Sequence, residues 1–136
     1  MRPEIICHMM STVDGRIIDQ RWLPPFGETD IDVYPEPYFE LSRAMDADAE
    51  MGGRKTAQLH HVPDVFDHEG KQPARNIATF IGSRDTERLF IVIDPMGKLL
   101  YKQNTVDGKN VVAILSESVS EEYLELLRGL GISYLF

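Results

Sequence analysis

Asp14 and Gly15 end a run able to bring polar side chains to a ligand. Residues 5–10 read Ile-Ile-Cys-His-Met-Met, and Ser11-Thr12-Val13-Asp14-Gly15-Arg16 follows at once. An apolar run with no charge suits a strand covered on both faces. Glycine then breaks the strand, because it permits backbone angles that other residues avoid. Ligands of open α/β sheets bind beyond the carboxyl ends of the strands. Thr12, Asp14 and Gly15 are therefore expected near a ligand. A first strand with an ordinary Asp-Gly turn has the same pattern.

A second candidate is Gly52-Gly53-Arg54-Lys55-Thr56. Residues 54–61 read as a helix opened by glycine. Free N–H groups, the helix dipole and two cations are suited to phosphate. Paired glycines let an anion approach the backbone closely. Glycine followed by basic residues is also common on surfaces. His60, His61 and His68 match no metal spacing and have no cysteine near them, so they read as surface histidines and no metal is expected.

These side chains need elements to hold them. Residues 19–37 carry Pro24, Pro25, Pro35, Pro37 and Gly27, which reads as a long loop. The only tryptophan, Trp22, lies in it. It either covers a flat ligand or pins the loop to the core. Residues 37–45 have helical spacing, and proline suits a first turn. Residues 46–51 alternate as a short strand does, ending at the glycine pair. Residues 62–87 are mostly irregular, with a short strand expected at 77–81. Residues 89–94 form a strong strand, closed by Pro95-Met96-Gly97, and residues 99–102 continue toward a hairpin. Asp107-Gly108 is a turn. Residues 111–115 are a continuous apolar run, fitting a buried parallel strand, and Ser116 ends it. Ser118-Val119-Ser120-Glu121 has the spacing of a capping box with Ser118 at the cap. Tyr123, Leu126, Leu127 and Leu130 share a helical face, and Gly129 and Gly131 supply the stop. Residues 132–136 are a further strand. Strand, helix, strand over 111–136 is a crossover unit. Residues 4–12, 89–94, 111–115 and 132–136 are expected to be neighbours in one sheet.

The chain has 136 residues, 43% hydrophobic and 26% charged, which suits one soluble domain. No run reaches the ~18 apolar residues of a membrane helix. A single cysteine, Cys7, cannot form an internal disulfide, and it falls in the expected core strand. A reducing, cytoplasmic setting is the default. The net charge of -8 argues against nucleic acid as a partner.

In order and spacing the pieces resemble a known family. They are Thr12-Val13-Asp14-Gly15-Arg16, then Arg43-Ala44-Met45-Asp46-Ala47-Asp48-Ala49, then Gly52-Gly53-Arg54-Lys55-Thr56. Ile91-Val92-Ile93-Asp94 and Val111-Val112-Ala113-Ile114-Leu115-Ser116 follow. The chain looks like the dihydrofolate-reductase-like reductase domain of riboflavin biosynthesis, the reductase half of the bifunctional deaminase-reductase. The resemblance implies an α/β fold with a mainly parallel central sheet flanked by helices. It implies NADPH as cofactor, with NADH not excluded. The implied substrate is a small molecule, a phosphorylated ribosylamino-pyrimidine whose sugar accepts the hydride. Met10, Thr12 and Asp14 would lie near the nicotinamide and the substrate, with Asp14 in the catalytic position. Gly53, Arg54 and Thr56 would hold the cofactor phosphates. Trp22 would lie against the cofactor, and Ser116 at its adenosine end.

The chain departs from the family pattern in three places. His8, in a substrate-contacting position, stands where many relatives carry lysine. Glu117 is a poor neighbour for a 2'-phosphate. No Glu-Gly-Gly-Gly type turn is present, so the single domain, residues 1–136, is expected to be incomplete at its C-terminus and, alone, to bind cofactor weakly and turn over no substrate. A homodimer or a second chain would then complete the sheet. A non-catalytic nucleotide- or pterin-binding relative of this fold is the alternative, as is a dihydrofolate-reductase-like enzyme with another substrate.

Overall fold

The computed structural model describes residues 2–17 and 35–136. Trp22 and most of the expected 19–37 loop lie outside the described residues. The chain divides into two compact units, Met1–Ala47 and Asp48–Phe136.

In the first unit, helix α1 spans Pro35–Met45. Proline at its start follows from a ring that pre-sets the helical φ. Glu36 in the first turn and Arg43 in the last complement the helix dipole, and they pair at 2.9 Å. Asp46, at φ 47°, takes the left-handed conformation that ends the helix. Residues 2–17 form no strand, which corrects the expectation for residues 5–10. Ile5 is 85% exposed, and Ile6, Cys7 and Met9 are exposed as well. An apolar run becomes a strand only when a neighbour accepts its backbone hydrogen bonds. The expected neighbour, residues 89–94, already has a partner on each side.

The second unit holds the sheet. In chain order it comprises β1 (Ala49–Gly53), α2 (Arg54–His60), β2 (Leu89–Ile93), β3 (Thr105–Val106), β4 (Lys109–Ile114), α3 (Glu121–Leu130) and β5 (Ser133–Leu135). β1, β2 and β4 lie side by side in parallel, and β5 joins the far side of β4, also in parallel. β3 pairs antiparallel with the start of β4. Asp107 and Gly108 both have positive φ, the geometry of a two-residue hairpin turn. Residues 99–102 form no strand, and 77–81 supply only an isolated bridge, Phe80 to Tyr134. Among the described residues no helix is long and apolar enough to cross a membrane.

Parallel strands need a crossover, and α3 supplies the one between β4 and β5. Its cap is Ser120 rather than Ser118: the Ser120 hydroxyl accepts from the Tyr123 N–H at 3.3 Å. Gly131, at φ 72°, ends the helix with a Schellman closure, Gly131 N–H to Arg128 O and Ile132 N–H to Leu127 O. Tyr123, Leu124 and Leu127 are fully buried, against Phe90, Val92, Val111, Ala113, Leu115, Ile132 and Tyr134. Leu126 and Leu130 pack at the rim of this core.

The expectation of doubly covered strands needs correction. Along β4 and into Leu115, Val111, Ala113 and Leu115 are buried while Val112 and Ile114 are half-buried. β2 alternates likewise, and Ile93 is 43% exposed. Continuous apolar sequence conceals this, because both sets of side chains are apolar.

Tyr101 is a test of the core. It is buried, and its hydroxyl has no hydrogen-bond partner among the described residues. Burial, and then the Asp94 charge, push its pKa well above the usual tyrosine range. Removing an unpaired buried hydroxyl costs no hydrogen bond. Tyr101→Phe is therefore expected to leave stability unchanged or raise it by up to about 1 kcal/mol. The urea midpoint measures this.

Candidate functional site

Three neighbouring strands end in one row. Register pairs Gly53 with Ile93 and Ile93 with Ile114, so β1, β2 and β4 finish at the same level. Each strand end carries a different chemistry.

At β1 the glycine pair lies inside the strand. Gly53 is extended, at φ -81° and ψ 158°, which any residue adopts. A Cβ built on Gly52 or Gly53 meets nothing within 4 Å. Neither glycine is thus demanded by backbone angle or by packing. A bare glycine backbone facing open space is what close approach of a ligand requires. Arg54, half-buried, donates to the neutral Gln58 Oε1 at 2.5 Å, while Lys55 and Thr56 are exposed. Helix α2 has only seven residues and no side-chain cap on Gly53. So short a helix is a weak anion site by itself; the bare strand and the cations matter more.

At β2 the chain turns sharply. Asp94 is buried, and its carboxylate accepts from the Leu99 N–H at 2.9 Å. Gly97, at φ 63°, closes the turn by donating to Asp94 O. This presents Pro95 and Met96 at the strand end, both exposed.

At β4, Ser116 donates to Pro95 O through its N–H at 2.9 Å and its hydroxyl at 2.6 Å. Ser118 Oγ lies 2.6 Å from Ser116 Oγ and donates to Met96 Sδ at 3.5 Å. Glu117 between them is exposed. Gly53 and Ile114 thus sit level and two strands apart, about 10 Å, and Ser116 lies two residues beyond Ile114. Gly53, the start of α2 with Arg54 and Thr56, and Ser116 all lie at the carboxyl edge of the sheet. Pro95, Met96 and Ser118 belong to the same row. Sequence reasoning treated Pro95 and Met96 as a turn and Ser118 as a cap; their place at a parallel strand end was the missed signal.

The remaining sequence candidates lie in the first unit. Thr12 and Asp14 hydrogen-bond through their side chains, and Arg16 Nε pairs with Asp14 at 2.7 Å. Thr12 N–H donates to Arg16 O and Gly15 N–H to Thr12 O, with Gly15 at φ 79°. The Thr12 hydroxyl, and after it the Arg16 guanidinium, hold the Asp14 carboxyl below its ordinary pKa. Met10 is half-buried. His8 stacks on Tyr38 at 4.1 Å and donates from Nε2 to Tyr38 O at 3.0 Å.

A cavity of about 350 Å³ lies elsewhere in the second unit, toward the amino end of β4. Its acids are already engaged: Asp107 with His61 at 2.7 Å and Asp64 with Lys102 at 2.6 Å. We place the candidate site at the strand ends, because parallel sheets bind ligands there. His68 donates to Gly97 O at 2.7 Å and supports the turn after β2. Among the described residues no group of three or more His, Cys, Asp or Glu side chains could hold a metal.

Comparisons with protein-family models, with curated proteins and with solved structures return no match to this chain.

Proposed function

We propose that this protein is an NAD(P)H-dependent reductase of the dihydrofolate-reductase-like class. It passes hydride from the nicotinamide to a phosphorylated ribosylamino-pyrimidine, the riboflavin-type reaction. One observation carries the reading: an open glycine pair followed by two cations, at the carboxyl end of a parallel strand and in line with Ser116. In this reading the cofactor phosphates lie on Gly53, Arg54 and Thr56, and Ser116 marks the adenosine end. The cofactor supplies the hydride; the protein orients the partners and excludes water. The family resemblance assigns Met10, Thr12, Asp14 and His8 to the nicotinamide and substrate and Trp22 to the cofactor. The setting is cytoplasmic. A strand from a second copy or another chain pairs with the outer edge of β1, which has one neighbour among the described strands.

The test is a titration with NADPH and NADH, followed by calorimetry and by absorbance near 340 nm. Absence of binding by either cofactor would sink the reading. A binding-only relative is the second reading. It is favoured by the Asp14 carboxylate being already engaged by Thr12 and Arg16.

Asp14→Ala separates the two. Asp14 is exposed, so its loss is expected to change stability little. Turnover of the intact enzyme is expected to fall while cofactor affinity stays. Unchanged turnover together with an early melt would make Asp14 a turn residue.

Arg54→Ala is expected to weaken dinucleotide binding through lost charge. The loss should shrink as salt rises, since the screening length falls from about 10 Å at 0.1 M to about 3 Å at 1 M. An equal loss at every salt concentration would assign the effect to packing of the arginine stem.

A further inference from the structure

We propose that the cavity near the amino end of β4 is a second binding site, for a neutral polyol of monosaccharide size. It uses none of the strand-end residues and stands apart from the reductase reading. At about 350 Å³ the cavity lies at the small end of ligand sites, which suits a ligand of one ring. Its walls are residues 61–64 and 100–107, and both are held in place. Asp64 O accepts from the Leu100 N–H at 3.0 Å, which ties wall to wall. The His61 and Val62 N–H groups both close the end of α2 on Ala57 O. The His61 ring meets buried Phe90 in a T-shaped contact, with centroids 5.1 Å apart. Its side chain is 28% exposed, so the ring is held yet reachable.

Charge decides the class of ligand. Both acids of the lining have a partner in the lining: Asp107 holds His61 Nδ1 at 2.7 Å, and Asp64 holds Lys102 Nζ at 2.6 Å. A charged ligand would have to break one of these pairs, and a neutral one need not. Hydrogen-bonding capacity decides the chemistry. An ionised carboxylate only accepts, so the proton between His61 and Asp107 sits on Nδ1. In the neutral ring Nε2 is then an acceptor of fixed direction, which a ligand hydroxyl satisfies. The Thr105 hydroxyl and the Lys102 ammonium offer donors in the same lining. A hydroxyl both donates and accepts, so a ring bearing several hydroxyls meets both kinds of group. Val62, Leu100 and Val106 supply apolar wall for its C–H faces.

The experiment titrates the isotope-labelled full chain with D-glucose and with myo-inositol, followed by NMR, beside phosphate and putrescine as charged probes. Saturable shifts are expected with a polyol, confined to residues 61–64 and 100–107, together with a shift of the His61 Nε2 resonance. His61→Phe keeps a ring against Phe90 but removes the acceptor. It should weaken binding about tenfold, the effect of one hydrogen bond. If that variant fails to fold, Asp107→Asn is read in its place. At an exposed position it frees the choice of tautomer, and it should weaken binding as well. The absence of saturable shifts with either polyol overturns the proposal. Binding that the folded variant retains in full overturns it too, as does tighter binding of phosphate or putrescine at these residues.

Discussion

A Gly53→Val chain is expected to keep its melting temperature and lose most of its affinity for the dinucleotide. Gly53 is extended, and a Cβ there meets nothing within 4 Å, so valine strains neither backbone nor core. Valine also favours extended backbone, which slightly helps an edge strand. The bare backbone is a different matter. A phosphate held against it needs the space a valine side chain takes. Forcing such a contact apart costs about 2 to 3 kcal/mol, on the order of a hundredfold in Kd. Calorimetric titration beside a thermal melt reads both quantities from one preparation. Unchanged binding by the folded variant would remove the glycine pair from the site.

Gly82→Ala is expected to do the reverse and strongly destabilise the second unit. A Cβ on Gly82 would lie 1.9 Å from Gly131 O and 2.4 Å from its carbonyl carbon. No rotamer relieves that contact, because both sides are backbone. Gly131 cannot retreat easily: it caps α3 in the left-handed conformation, and its carbonyl accepts from Ser83 N–H at 3.0 Å. The bridge between Phe80 and Tyr134 and the Gly82 N–H bond to Ser133 Oγ hold the other side in place. Opening this contact would lift residues 80–83 off β5. The expected loss is about 3 kcal/mol or more, at the upper end for overpacking. A denaturant midpoint within error of the parent would mean that residues 80–83 move aside without cost.

How far the local sequence carried depended on how local the physics was. The helix at residues 35–45, the strand at 89–93, the Asp107-Gly108 turn and the Gly131 stop rest on propensity and backbone angle. Each was legible within a few residues. The capping serine was misplaced by two, because Ser118 and Ser120 offer the same hydroxyl and only the helix start decides between them. Residues 5–10 show the limit more plainly. Their composition is that of a strand, but a strand exists only where another strand accepts its hydrogen bonds. In the second unit both sides of β2 are taken, by β1 and β4.

The candidate site divides in the same way. Residue types named Gly53, Arg54 and Thr56 as a place for phosphate, because bare backbone and positive charge are properties of the sequence itself. Tertiary structure decided that Pro95, Met96, Ser116 and Ser118 stand in the same row. Those residues are far apart in the chain, and only the parallel register of β1, β2 and β4 brings their strand ends level.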